Sequence, residues 1–154
     1  MEPIKSISTN TESAPSPVIL SVRGEQYFDG CDPDNTELTT EGTLTMIPGG
    51  MLLRYEESAL TGMEGTTTTF ELRGPRVLLT RSGKVNSQIV FEEGRQHTSL
   101  YETPMGELSV DIQTSLLRHN LTERGGLMEI KYSIAVEHTA TGKNTFKIRV
   151  RPKS

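Results

Sequence analysis

Two adjacent carboxylates, Glu56 and Glu57, have the residue type needed for general acid–base chemistry. They precede a glycine-bounded loop and four threonines in the run "YEESALTGMEGTTTTFEL". In a β-strand, however, adjacent side chains point to opposite faces, so both cannot serve one reaction centre. If Glu57 continues the apolar face of its strand, it lies near the interior and needs a cationic partner, for which Arg81 or Arg73 is available. The alternative is a carboxylate at a strand end that faces water.

A second candidate group consists of uncharged polar side chains on two consecutive predicted strands. Alternation places Asn86 and Gln88 on one face of the first strand, and His97, Ser99 and Tyr101 on one face of the second. Such groups could line a cavity and orient a small molecule. Equally, they could form the solvated outer face of an antiparallel sheet.

The other reactive residue types do not have the spacing of a known site. His97, His119 and His138 lie far apart in the sequence, which gives no metal-ligand pattern. The turn "DGCDPDN" lacks EF-hand spacing, and its lone Cys31 has no neighbouring base. The run "RSGKV" does not fit a phosphate-binding loop. We expect no metal and no cofactor.

Charge and composition narrow the class of partner. The net charge of -4 argues against nucleic-acid binding, which needs clustered lysine and arginine. The basic tail "KIRVRPK" is interpreted as a strand with a solvated basic face. No apolar run reaches the roughly 18 residues of a membrane span. A single cysteine excludes an intrachain disulfide, and a cytoplasmic protein is expected. Residues 1–17 are predicted to be a disordered leader, and 18–154 a single domain.

The elements that position these side chains are predicted to be β-strands. From Val18 onward, apolar and polar residues alternate between stops at glycine, proline, asparagine and aspartate, and the chain contains twenty threonines. About eight to ten strands follow, which predicts an all-β protein. We favour an antiparallel meander barrel over a sandwich, because closing the sheet removes its edges. The best helical segments are short, around Ser58–Thr61 and Ser115–Arg118.

Four runs together resemble a known family. They are "YFDG" at 27–30, "YEESALTGMEGTTTT" at 55–69, "RSGKVNSQIVFEEG" at 81–94 and "HTSLYETPMGEL" at 97–108. These runs are similar to the YwiB-like family, a bacterial domain of unknown function. The resemblance implies a calycin-type, lipocalin-like barrel and brings no activity with it. Carried onto this sequence, it selects as candidate ligand-binding positions Tyr55, Glu57, Glu64, Thr67, Arg81, Asn86, Gln88, His97 and Tyr101.

Three functions are compatible with these features. The favoured one is non-catalytic binding of a small molecule in the barrel interior or mouth, with Arg81 facing an anionic group and the segment 58–65 acting as a flap. The second is an enzyme with Glu57 or Glu64 as general base and His97 as proton carrier. The third is a structural or interaction barrel without a ligand.

Overall fold

The protein is built from ten β-strands, in a computed structural model that describes residues 14–27, 34–58, 63–84, 86–103 and 106–153. No helix occurs in these residues, and none could therefore cross a membrane. The strands are β1 Ser16–Tyr27, β2 Asp34–Ile47, β3 Gly50–Glu56, β4 Thr66–Arg73, β5 Arg76–Gly83, β6 Ser87–Glu92, β7 Gln96–Thr103, β8 Gly106–His119, β9 Gly126–Val136 and β10 Thr139–Pro152.

All ten strands belong to one antiparallel sheet. Its order is β6-β5-β4-β3-β2-β1-β10-β9-β8-β7, so consecutive strands other than β6 and β7 are paired neighbours, and β1 pairs with β10 to join the two halves of the chain. The two edge strands, β6 and β7, follow each other in sequence and pack together. The sheet therefore curls into a nearly closed meander barrel, as the alternation predicted.

The barrel core comes from the inward residues of the strands, and β7 contributes to it with the partly buried Tyr101. In β4, for example, Thr66, Thr68, Phe70 and Leu72 are buried, whereas the residues between them are partly exposed. The same alternation fills the interior with aliphatic and aromatic side chains, among them Leu20, Leu53, Leu79, Phe91, Ile112, Ile130 and Ile148. Because the side-chain period of a strand is two, this pattern fixes the register of each pair.

Three local predictions need comment. Residues Ser115–Arg118 form part of β8 and not a helical segment; a register shift between Thr114 and Leu116 in the β8–β9 pair disturbs the alternation there. β1 begins at Ser16, two residues before the predicted domain boundary. Residues 1–13, Cys31 and the central part of the predicted flap, 59–62, lie outside the described residues.

Candidate functional site

Glu57 faces the barrel interior, directly after the end of β3. Its amide donates a 2.9 Å hydrogen bond to the carbonyl of Thr66, which continues the β3–β4 pairing by one residue. Only 1% of its side chain is exposed. Glu56 faces outward, where it accepts a 2.8 Å hydrogen bond from the Thr67 hydroxyl. The two adjacent carboxylates are therefore separated by the sheet, as strand geometry requires.

Arg81 meets Glu57 inside the barrel. It lies on the inward face of β5, and its Nε is 3.8 Å from Glu57 Oε2. The Thr68 hydroxyl donates a hydrogen bond to the same carboxylate oxygen. Thr68 of β4 pairs with Tyr55 of β3 on one side and with Arg81 of β5 on the other. Its hydroxyl can therefore reach Glu57, which follows β3, from a position next to Arg81. Arg73, the other proposed partner, instead pairs with Glu71 on the surface. We call Tyr55, Glu57, Thr68 and Arg81 the interior polar cluster.

Burial and charge in this cluster act on nearby tyrosines. Burial raises the pKa of Tyr55, and the negative charge of Glu57 raises it further, while Arg81 opposes the rise. Burial also raises the pKa of Tyr132, and Arg81 again opposes this. Both phenols are therefore neutral at physiological pH.

An aromatic wall borders the cluster. The ring of Tyr132 lies 4.8 Å from that of Phe91 and 6.0 Å from that of Phe146, and Phe146 meets Phe70 edge-on at 6.4 Å. These separations are those of favourable aromatic pairs. A charged pair and a group of aromatic rings thus lie side by side in the barrel interior.

Three buried polar atoms in the described residues have no hydrogen-bond partner: Arg81 Nε, Ser87 Oγ and Thr114 Oγ1. Arg81 and Ser87 are direct cross-strand partners in β5 and β6, so two of these atoms belong to neighbouring residues. Sequence reasoning missed Ser87. Its signal was the alternation that places it on the face of Ile89 and Phe91, opposite to Asn86 and Gln88.

Four of the nine predicted positions do not reach the interior. Asn86 and Gln88 are exposed on the outer face, and Glu64 is exposed in the turn before β4. Thr67 is half-buried on the outer face, bonded to Glu56. Asn86 and Gln88 therefore do not face the interior, and the alternative of a solvated outer face describes where they lie. For Asn86 and Gln88 the reason is the parity of β6, in which Ser87, Ile89 and Phe91 take the inward positions.

His97 and Tyr101 lie on the inward face of β7 but are only half-buried. His97 Nε2 is 3.2 Å from Glu92 Oε1, which links the start of β7 to the end of β6. Burial acts to raise the pKa of Glu92, but contacts with His97, Arg76 and Arg95 outweigh it and the pKa is lowered. Glu92, a residue that the sequence did not single out, is thus the carboxylate that accompanies His97.

Open grooves lie on the outer face of the sheet. One, of about 390 Å³, is lined mostly by polar and charged residues of β1, β8, β9 and β10. Its buried carboxylate, Glu129, accepts a 2.8 Å hydrogen bond from Arg118 and lies 3.8 Å from Lys147. Tyr27 in turn donates to Glu25. Both carboxylates that line this groove, Glu25 and Glu129, therefore accept a hydrogen bond. Nowhere in the described residues do three potential metal ligands come together.

The fold and the interior polar cluster define a class: an antiparallel meander barrel with a buried ion pair in its interior. The chain belongs to the DUF1934 family, a domain of unknown function whose model matches residues 20–148. The YwiB-like relationship predicted from the four sequence runs is thereby confirmed. The crystal structure of the ywiB protein from Bacillus subtilis has the same fold, with a TM-score of 0.83 and 22% identity over 96% of this chain and 99% of that chain. No curated protein matches the chain.

Proposed function

We propose that the protein is a non-catalytic binder of a small molecule that carries an anionic group, held at the interior polar cluster. The observation behind this proposal is the state of Arg81. Its Nε is buried and has no hydrogen-bond partner among the described residues, and the nearby Glu57 oxygen, at 3.8 Å, is beyond hydrogen-bond distance. The planar donors of an arginine suit a carboxylate or phosphate oxygen pair.

The energetic cost of this arrangement supports a binding role. A buried donor that lacks a partner costs about 1–3 kcal/mol. Replacing a buried ion pair with apolar side chains is often neutral or stabilising, so such a pair is weak evidence for a purely structural purpose. A purely structural barrel, the third function considered above, therefore does not explain why Nε of Arg81 is buried without an acceptor in the described residues. An anionic ligand would supply that acceptor.

Acid–base catalysis has less support. His97 contacts Glu92, and within the described residues it makes no hydrogen bond to Glu57 or Glu64. Glu64 is exposed, while Glu57 already accepts a hydrogen bond from Thr68. The outer groove is also a weaker candidate, because its carboxylates already have cationic or hydroxyl partners. A calycin-like mode of ligand binding and a cytoplasmic location are further parts of this proposal; the barrel architecture and the lone cysteine support them.

Native mass spectrometry of protein purified from its own host tests the proposal. We expect the wild-type barrel to retain a small molecule and Arg81→Gln to lose it. Arg54→Gln is the matched control, because Arg54 is exposed on the outer face and bonds only to the hydroxyl of Thr69 in the described residues. A wild-type barrel with nothing bound, or equal retention by Arg81→Gln and wild type, would contradict the proposal.

A further inference from the structure

The barrel has one seam, between β6 and β7, where its wall is not hydrogen-bonded. Among the described residues no backbone ladder joins these two strands, although they are consecutive and pack together. All other neighbouring strands are joined by antiparallel pairing along their length, with a local register shift in the β8–β9 and β9–β10 pairs. Separating β6 from β7 therefore breaks fewer backbone hydrogen bonds than opening the wall at any other described position.

The seam is fixed at one end only. At the turn between the strands, the Arg95 amide donates a 3.0 Å hydrogen bond to the Glu92 carbonyl, and the Gly94 amide donates one of 2.9 Å to the Thr114 carbonyl of β8. The side-chain contact between Glu92 and His97 adds a third link there. At the opposite end, where Ser87 begins β6 and Thr103 ends β7, no described hydrogen bond joins the two strands. The strands can therefore separate like a hinge about the turn.

The inward residues of β6 and β7 differ in their exposure to solvent. On β6 the inward residues Ser87, Ile89 and Phe91 are buried. On β7 the inward residues His97, Ser99 and Tyr101 all remain half-buried. The inward face of β7 is therefore more exposed to solvent than the inward face of β6, although both point toward the core.

The unpartnered atoms of Arg81 and Ser87 lie at the free end of this seam. Ser87 is the first residue of β6 and pairs directly with Arg81 of β5. Its side chain is 9% exposed, and its hydroxyl has no hydrogen-bond partner in the described residues. A hydroxyl beside a guanidinium offers donors of the kind that bind an oxyanion, and arginine in particular favours the two oxygens of a carboxylate.

We infer that the seam between β6 and β7 is a lateral entrance to the barrel, and that Ser87 and Arg81 together receive a carboxylate of the ligand there. This inference rests on the proposed function and adds to it a route, a second contact residue and a ligand class. The bulk of the ligand lies against Tyr132 and Phe91, whose rings form the wall next to the seam. Binding requires the free ends of β6 and β7 to move apart, since Ser87 is nearly closed off from solvent.

Thiol accessibility tests the entrance. In a Cys31→Ser background, Ser87→Cys places a thiol at the seam, and Val22→Cys places one at an equally exposed position, also 9%, on β1, which is paired on both sides without a register shift. We expect the S87C thiol to react about tenfold or more faster than the V22C thiol, because only the seam opens without breaking a ladder. The two probes are 2-sulfonatoethyl and 2-(trimethylammonium)ethyl methanethiosulfonate, which form a mixed disulfide and release methanesulfinate.

The charge preference of the reaction tests the role of Arg81. At S87C the anionic probe is expected to react faster than the cationic one, and Arg81→Gln is expected to reverse the order because Glu57 then dominates the local charge. Equal rates at S87C and V22C, or a faster cationic probe at S87C with Arg81 present, would overturn the inference. If the wild type retains a ligand while S87C is inert, the route is wrong and the binding function stands. If S87C reacts as expected while native mass spectrometry finds no ligand, the binding function is wrong.

Discussion

Arg81 and Glu57 form an ion pair in the interior of the barrel, with 3.8 Å between Arg81 Nε and Glu57 Oε2 and with 14% and 1% of the two side chains exposed. Taking two charges out of water is costly, and their attraction offsets this cost only when both are also well hydrogen-bonded. Glu57 accepts a hydrogen bond from Thr68, whereas Arg81 Nε has no hydrogen-bond acceptor in the part of the chain that the structure describes. The Glu57 carboxylate is thus held by a hydrogen bond within the protein, whereas the Arg81 guanidinium still has an N–H group that can donate to an acceptor.

Arg81→Met is expected to lower the free energy of unfolding by about 3 kcal/mol or more, because it leaves the carboxylate of Glu57 buried without its cation. Adding Glu57→Leu to this variant is expected to restore at least about half of the loss, since the double variant carries no buried charge. Urea unfolding at pH 7 measures both effects. Arg23→Met is the control: Arg23 and Glu37 are both more than half exposed, and a pair of this kind contributes about 0–1 kcal/mol.

If the double variant were no more stable than Arg81→Met, the loss would have to come from packing of the arginine side chain and not from the uncompensated carboxylate. A loss as small as that of Arg23→Met would contradict the burial of the pair.

Glu129 is expected to make stability depend on pH in the acid range. The hydrogen bond from Arg118 is the main reason why the pKa of Glu129 lies below its usual value of 4.5, although burial opposes this. A carboxylate with a lowered pKa contributes stability above its unfolded-state pKa and loses that contribution as the pH falls through the folded-state value. We therefore expect Glu129→Gln to cost about 2 kcal/mol at pH 7, as for a hydrogen bond to a charged group. The difference from wild type should shrink below about pH 4.5.

Urea unfolding of wild type and Glu129→Gln between pH 7 and pH 3 measures this dependence. Glu37→Gln serves as control, because Glu37 is exposed and has only the 3.5 Å contact with Arg23 in the described residues. A difference between wild type and Glu129→Gln that stays constant down to pH 3 would mean that the charge of Glu129 does not stabilise the fold.

The fold could be predicted because every strand carries its own period-two signal. One buried face per strand is enough to assign the alternation, and short turns leave an antiparallel meander as the simplest connection. The pairing of Glu57 with Arg81 could also be predicted from the sequence, because both continue the inward faces of strands that flank β4. The sequence could not give the partner of His97, because the Glu92–His97 contact depends on the tight turn between β6 and β7.

The alternation of inward and outward residues along β6 explains why Asn86 and Gln88 do not face the interior. Asn86 and Gln88 have the residue types of a ligand site, but Ser87 occupies the inward position between them. Residue type favoured the amides, whereas alternation with Ile89 and Phe91 favoured the serine. Thr67 shows the same effect in β4, where its neighbours Thr66 and Thr68 are the buried residues. In a strand with one buried face, the position of a residue along the strand therefore determines whether its side chain faces inward, whatever the residue type.

Hydrogen exchange is expected to divide β7 by amide direction. Alternate amides of this strand point toward β8, with which β7 pairs from Gln96 to Thr103, and the others point toward the seam. We expect the seam-facing amides to exchange at least about a hundredfold faster, since no ladder protects them. The amides of β1, which has a paired neighbour on both sides, serve as the protected reference. Uniform protection along β7 would mean that β6 and β7 are hydrogen-bonded in solution.

Gly42 of β2 makes room for Tyr55 of the interior polar cluster. The two residues pair directly, and a Cβ at Gly42 would overlap the backbone oxygen of Arg54 and Cδ1 of Leu20. Because backbone cannot move aside as a flexible side chain can, we expect Gly42→Ala to cost about 1–3 kcal/mol. Gly24→Ala is the matched control on β1: its Cβ would meet the Thr36 hydroxyl at 3.0 Å, a side-chain group that can rotate away. Thermal unfolding measures the stability of the two variants. If Gly24→Ala loses as much stability as Gly42→Ala or more, the close approach of backbone at Gly42 is not what makes room for Tyr55.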